Sequence, residues 1–159
     1  MSLYGGLTRW IGNQTWLRPV APLVSPVDRV LLSKFGRRLT PFPTLLLTTI
    51  GRNSGKTVDT PLWYLEEGRE LAVIASNFGR HEPDWSRNLR ANPACIVKIR
   101  RKTTAYRARP AGGEAWDRYL DGFAEFYPTY RDYIVLAGRE VPIWVLESAG
   151  SSAPPIPPS

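Results

Sequence analysis

Between Gly51 and Thr57 the chain reads Gly-Arg-Asn-Ser-Gly-Lys-Thr, two cations and a hydroxyl set among glycines, the composition of a loop that grips phosphate. A nucleotide-phosphate loop, however, needs four residues between its glycines and a helix after them. Only three residues separate Gly51 from Gly55, and the next seven, Val58-Asp59-Thr60-Pro61-Leu62-Trp63-Tyr64, are β-branched and aromatic around a proline, the pattern of a strand. An NTPase loop is therefore excluded. What remains is a basic turn between two strands, from which Arg52 and Lys56 can project as anion ligands. A second group with chemical capacity is Tyr127, Tyr130 and Tyr133, phenols at every third position. That spacing gathers them near one side of a helical turn. They serve there either as an aromatic packing stripe or as a flat wall whose hydroxyls donate to an oxygen gaining negative charge. Trp85 and Asn88 are likewise three apart and share a face; alone, Trp85 reads as a core anchor and Asn88 as a cap of its own helix. His81, beside Glu82-Pro83, reads as a solvent-facing loop histidine.

These groups need elements to position them. Strands are predicted over Thr44–Ile50 and residues 57–65, on either side of the basic turn. Glu67-Gly68 then turns the chain into a third strand, residues 70–76, whose Ala-Val-Ile-Ala centre calls for burial on both faces. After a loop through Asn77-Phe78-Gly79-Arg80 comes a short helix over Asp84–Ala91, N-capped by Asp84 and ended by Asn92-Pro93. Residues 95–100 and 103–109 form the arms of a hairpin. Residues 114–126 are helical, with Trp116, Tyr119, Leu120 and Phe123 on one face, and Pro128 interrupts before a second short helix carrying Tyr130 and Tyr133. Residues 141–147 are the last strand. Upstream, Ser25-Pro26-Val27-Asp28 starts a helix that Gly36 stops, with Val27, Val30, Leu31 and Phe35 as its docking stripe. Six strands joined mostly as hairpins favour a small closed or partly closed antiparallel barrel with flanking helices over a doubly wound sheet. The chain divides into a basic leader with one docking helix (1–43), a barrel domain (44–147) and a Ser/Pro-rich tail without a reason to fold (148–159).

At 159 residues and 43% hydrophobic content the chain suits one domain with a real core. One cysteine excludes an internal disulfide, and with one histidine it leaves no zinc constellation, so no metal is expected; Cys95 reads as a small core residue. Residues 1–43 carry +5 of the net charge of +7. Among those charges lie Trp10, Ile11, Trp16, Leu17, Leu23 and Val24, so a peripheral membrane contact through the leader is one reading, and packing of these side chains onto the domain is the other. The excess lacks the aromatic and basic interleaving of a nucleic-acid platform, so no nucleic-acid partner is expected. With no signal-peptide pattern and no apolar run long enough to span a bilayer, the protein reads as cytosolic.

Five segments, in order, carry a resemblance: Thr48-Thr49-Ile50-Gly51-Arg52-Asn53-Ser54-Gly55; Thr60-Pro61-Leu62; Ala75-Ser76-Asn77; the stretch from Pro83 through Trp85 to Pro93; and Tyr127-Pro128-Thr129-Tyr130-Arg131-Asp132-Tyr133 ahead of Val141-Pro142-Ile143. Over residues 44–147 the chain resembles the deazaflavin-dependent nitroreductases, which use coenzyme F420. The resemblance implies a split β-barrel with the coenzyme in a groove and its phosphate and polyglutamate tail on a basic rim. It implies that Arg52, assisted by Asn53, Ser54 and Lys56, holds the tail. It also sets Trp85, Asn88, Ser76 and Asn77 against the coenzyme, and makes Tyr127, Tyr130 and Tyr133 the acceptor wall and catalytic group. Asn53 and Val58 stand where many relatives carry basic residues, which thins the anion site; Lys56 and Arg80 are the compensating candidates. The implied activity is hydride transfer from reduced coenzyme F420 to a planar conjugated acceptor, a quinone, activated enone or nitroaromatic. Competing readings are an FMN-dependent or haem-associated split barrel, a deazaflavin carrier without turnover, and a basic membrane- or nucleic-acid-binding module.

Overall fold

The structure, a computed structural model, describes residues 42–150. The leader with its predicted docking helix, and the tail beyond Gly150, lie outside the described residues. Seven strands, β1 (Thr44–Ile50), β2 (Thr57–Trp63), β3 (Leu65–Glu67), β4 (Glu70–Ile74), β5 (Ala94–Ile99), β6 (Lys102–Pro110) and β7 (Ile143–Ser148), form one antiparallel sheet in the order β2-β1-β5-β6-β7-β4-β3. Among the described residues three α-helices accompany it, α1 (Asp84–Ala91), α2 (Gly113–Phe126) and α3 (Thr129–Ala137).

The strand order dictates the shape. β2 and β3 are the opposite edges of the sheet, yet only Tyr64 lies between them in the chain. Laid flat, seven strands would hold their edges about 29 Å apart at the usual inter-strand spacing. One intervening residue spans no more than about 7 Å. The sheet must therefore curl until its edges meet, which makes it a half-barrel of the split-barrel kind. The single strand predicted over 57–65 is accordingly two strands. Up to Trp63 the backbone pairs with β1, from Leu65 it pairs with β4, and at the corner the Tyr64 amide donates to the Pro43 carbonyl (3.1 Å). Pro61 is tolerated because β2 is an edge strand.

Alternation along the strands sorts side chains into two cores. Leu45 and Leu47 of β1, Leu71 and Val73 of β4, Val97 of β5, and Trp144 and Leu146 of β7 fill the inside of the curl with Tyr64, Trp85, Leu89 and Cys95. Ala72 and Ile74 of β4 and Ile143 and Val145 of β7 face outward, where Tyr119, Leu120 and Phe123 of α2 and Tyr130 and Tyr133 of α3 cover them. β4 is thus buried on both faces, as its apolar centre requires. Cys95 is a core residue; burial pushes its thiol up to about 12, and Sγ lies 3.6 Å from the Tyr106 carbonyl.

Several strand ends shift by one or two residues from expectation, and two boundary differences are informative. Pro83, not Asp84, is the N-cap of α1, in extended conformation with no side-chain cap bond, because a proline lacks the amide that a helix start leaves unpaired. β7 runs to Ser148 and the Ala149 amide still donates to the Ala105 carbonyl (3.0 Å), so pairing with β6 continues into residues assigned to the tail.

Candidate functional site

The turn between β1 and β2 is closed by backbone bonds from the Gly51 amide to the Lys56 carbonyl (2.7 Å) and from the Gly55 amide to the Gly51 carbonyl (2.8 Å). Ser54 Oγ accepts from the Lys56 amide (3.2 Å) and sits over Gly51, where a β-carbon would meet it at 2.5 Å. Any side chain at Gly51 would expel that hydroxyl. Arg52 is held against α1: its amide and Nη1 both donate to Asn88 Oδ1 (3.1 and 3.2 Å), and Nη2 reaches Asp84 Oδ1 (3.1 Å). Asn88 is buried and uses its other end too, donating from Nδ2 to Thr49 Oγ1 (3.2 Å). Asn53 and Lys56 are exposed on the outer side of the turn, and among the described residues the Lys56 ammonium has no carboxylate partner.

α1 is fixed from its other side by a chain of polar contacts that pattern reading missed. Buried Trp144 donates from Nε1 to Ser86 Oγ (2.8 Å), Ser86 donates to Glu82 Oε1 (2.6 Å), and Arg90 Nε donates to the same oxygen (3.1 Å). Burial works to raise the Glu82 pKa, but the Ser86 and Arg90 hydrogen bonds and the charges of Arg90 and Arg139 outweigh it and hold the carboxyl below its ordinary value. Trp85 lies in the inner core, its ring almost fully covered.

After β4 the chain enters an unusual turn. Asn77, Phe78 and Gly79 follow one another with φ of 45°, 57° and 75°. Asparagine and glycine tolerate that region; a phenylalanine there costs about 1 kcal/mol or more. Asn77 Nδ2 donates to the His81 carbonyl (2.8 Å). Arg139, beyond α3, donates to the carbonyls of Arg80 (3.0 Å), Ala75 (3.1 Å) and Glu140 (3.0 Å). Ser76 is buried, and its hydroxyl has no hydrogen bond among the described residues. His81 and the Arg80 side chain are exposed.

The three tyrosines do converge, although Tyr127 ends α2 while Tyr130 and Tyr133 belong to α3. Their ring centroids are 5.5 Å (Tyr127 to Tyr130), 6.2 Å (Tyr127 to Tyr133) and 6.2 Å (Tyr130 to Tyr133) apart. The Tyr127 and Tyr133 hydroxyls lie 3.3 Å from each other. Trp63, Phe42, Phe126 and Phe123 extend the cluster on one side and Phe78 on the other. Tyr130 is enclosed, and its hydroxyl has no hydrogen-bond partner among the described residues. Burial, and then the neighbouring Tyr127 and Tyr133, raise its pKa far above the phenol range, so it stays protonated. No cluster of metal-ligating side chains occurs among the described residues.

A curled antiparallel sheet with a cationic turn at one helix and a tyrosine cluster at another defines a protein of the split-barrel, coenzyme-binding class. The family model for F420H(2)-dependent quinone reductase matches residues 24–148. Rv3178 of Mycobacterium tuberculosis (strain ATCC 25618 / H37Rv), provisionally named an F420H(2)-dependent quinone reductase, is 37% identical over 91 residues, covering 54% of this chain and 76% of its own length. The F420H(2)-dependent quinone reductase Rv1261c of the same organism is 25% identical over 148 residues, or 88% of this chain and 97% of its own. The solved structure of an F420-H2 dependent reductase (FDR-A) superposes with a TM-score of 0.61 at 34% identity, covering 66% of this chain and 94% of that one. The chain belongs to the F420H(2)-dependent quinone reductase family. It is an F420-dependent oxidoreductase that passes hydride from the reduced coenzyme to a quinone, and neither FMN nor a non-catalytic role is needed to account for it.

The residues present fit that coenzyme. Its anionic tail needs an accessible cation, and exposed Lys56, without a carboxylate partner among the described residues, offers one. Its ring and the acceptor need polar partners inside an apolar slot, and the buried hydroxyls of Ser76 and Tyr130, which have no hydrogen-bond partner among the described residues, are of that kind.

Proposed function

We propose that Lys56 and Arg52 receive the phosphate and carboxylates of the tail, with Asn53 and Ser54 shaping the turn, that Ser76 and Asn77 hydrogen-bond the ring, and that Tyr130 and Tyr133, flanked by Tyr127, form the acceptor wall. In this reading Asn88 and Trp85 act from below: Asn88 holds the turn onto α1, and Trp85 anchors α1 in the core. When bound, the reduced coenzyme supplies the hydride. The quinone that takes it gains negative charge on its oxygen. A phenol beside that oxygen stabilises it by donating a hydrogen bond, more strongly in an apolar cage than in water. Because burial raises the Tyr130 pKa so far, its role is to donate a hydrogen bond and not to surrender the proton; the proton that completes the hydroquinone comes from solvent. The chain thus contributes position and electrostatics to chemistry that belongs to the coenzyme.

One observation carries this assignment: the Tyr130 hydroxyl is buried inside a cage of rings and has no hydrogen-bond partner among the described residues. A group so placed is costly unless something arrives to satisfy it. The same cage accepts other planar acceptors, so nitroaromatics and activated enones belong within the proposed range. We further propose a cytoplasmic location with the leader touching the membrane, since quinones are lipophilic and the leader holds most of the net charge. The test is oxidation of reduced F420 by the purified protein with menadione, a nitroaromatic and an enone. Turnover above the protein-free rate with menadione, reduced in Tyr130→Phe and Tyr133→Phe at unchanged coenzyme affinity, is expected. Unchanged turnover in both variants refutes the wall.

A further inference from the structure

Phe78 occupies a position that a bulky side chain ordinarily avoids. Its backbone is left-handed (φ 57°, ψ 31°) between two further left-handed residues, and the residue is 44% exposed. Burial therefore does not explain it: an apolar ring on strained backbone gives up much of its stabilising value when half of it meets water. Yet three separate devices hold the turn in place. Arg139 donates to carbonyls on both sides of it, those of Ala75 and Arg80. Asn77 ties forward to the His81 carbonyl. Gly79 lets the backbone lie directly on α3, where a β-carbon would meet Leu136 Cβ at 2.7 Å and the Tyr133 carbonyl at 3.3 Å. The result is that the Phe78 ring stands edge-on to Tyr133, centroids 5.7 Å apart at 77°. Asn77 and the buried Ser76 hydroxyl come just before it in the chain. A strained, over-determined turn that presents an aromatic ring to solvent beside a site tyrosine has the character of a ligand contact.

We propose that Phe78 is an acceptor-contacting, specificity-determining residue. Its ring continues the wall of Tyr133 outward, so that an acceptor with two fused rings touches both while a single-ring acceptor touches the tyrosines alone. Arg139 is the positioning residue that keeps the ring there. The inference rests on the reading of Tyr130 and Tyr133 as the acceptor wall.

The experiment compares menadione, a two-ring quinone, with duroquinone, a one-ring quinone, in wild type, Phe78→Asn, Phe78→Leu, Arg139→Met and Arg139→Lys. Phe78→Asn removes the ring and keeps a residue that accepts the left-handed backbone. It is expected to lower Tm by no more than about 5 °C, because relief of the strained backbone offsets part of the lost ring contact, and to leave the affinity for oxidised F420, read by fluorescence titration, within about twofold, because the coenzyme contacts stay. Its kcat/KM for menadione falls about 3- to 10-fold through KM, the range of one aromatic contact, and for duroquinone less than about twofold. Phe78→Leu falls between. Arg139→Met shifts the menadione-to-duroquinone ratio in the same direction while lowering Tm, and Arg139→Lys restores part of the ratio. An unchanged ratio in Phe78→Asn overturns the proposal, as does a fall shared equally by both quinones. If Tyr130→Phe and Tyr133→Phe are inert while Phe78→Asn still changes the ratio, the tyrosine wall fails and Phe78 stands as an acceptor contact.

Discussion

Replacing Asn88 by alanine separates a brace from a ligand. Asn88 accepts two hydrogen bonds from Arg52 and donates one to Thr49, and it is 3% exposed. In the alanine variant the Arg52 groups, on an exposed turn, find water and lose little. Thr49, fully buried, loses its one side-chain partner among the described residues, and the missing amide leaves a small void beneath the turn. At about 1–2 kcal/mol for the orphaned Thr49 hydroxyl and about 1 kcal/mol for the void, the loss is about 2–3 kcal/mol. A protein of this size moves about 2–4 °C in Tm per kcal/mol, so the melting point should fall by about 5–10 °C. Coenzyme binding weakens as well, since a turn no longer held against α1 must be ordered by the tail itself; a 3- to 10-fold rise in Kd is about the cost of ordering one or two side chains. Asn88→Asp is the control. It retains the acceptor for Arg52 and Thr49 can donate to it, so Tm falls less at neutral pH, while its negative charge under the tail site raises Kd. Thermal melts and titration with oxidised F420 decide the matter. If Asn88→Ala keeps Tm within about 1 °C of wild type while Kd rises tenfold, the amide touches coenzyme and the brace argument is wrong.

Other perturbations have equally definite signs. Tyr130→Phe deletes a buried hydroxyl with no partner among the described residues, so stability should hold or rise by up to about 1 kcal/mol while menadione turnover falls; a drop in Tm of several degrees would mean the hydroxyl is satisfied inside the protein. Gly79→Ala places a β-carbon 2.7 Å from Leu136 Cβ on backbone with φ of 75°, costing about 2–4 kcal/mol, and an unshifted melting curve would refute the close packing of this turn on α3. Glu82 has a lowered folded-state pKa, so its contribution is fully present above the unfolded value, 4.5, and is lost as pH falls through the lower folded value. The stability gap between wild type and Glu82→Gln, about 1 kcal/mol at pH 7, should therefore shrink progressively in urea melts below the ordinary glutamate range, and a gap that widens there would reverse the assigned sign.

The elements that local chemistry specifies were legible in the chain. β1 and α1 occur over the predicted residues because an apolar β-branched run and a Pro-bounded amphipathic stretch announce themselves within a few positions. The split at Tyr64 was not legible. Residues 57–65 have one continuous strand pattern, and the break appears only because its two halves pair with different strands, β1 and β4, and form the two opposite edges of the sheet. Phe78 was hidden for a related reason: nothing in Asn-Phe-Gly signals three left-handed residues in a row until Arg139, 64 positions from one of the carbonyls it holds, is brought against them. Trp144 is invisible as a support of α1 in the same way, being 58 positions from Ser86.

What the structure adds beyond proximity is a division among polar groups that residue type alone cannot make. Asn88, Ser86 and Glu82 look as suited to a ligand as their neighbours, yet their hydrogen bonds close on one another and on Arg52, Thr49, Trp144 and Arg90. Such groups lower the energy of the empty protein, and recruiting them to a ligand would first require breaking those bonds. The Lys56 ammonium and the Ser76 and Tyr130 hydroxyls have no such closure among the described residues. For the two buried hydroxyls, that openness is unfavourable in the absence of a partner and becomes favourable when one arrives, which is how part of the affinity for coenzyme and acceptor can be set before either binds. Stability and function therefore reside in different side chains of the same site, and variants in the first set should move Tm before turnover, while variants in the second should move turnover with Tm held or raised.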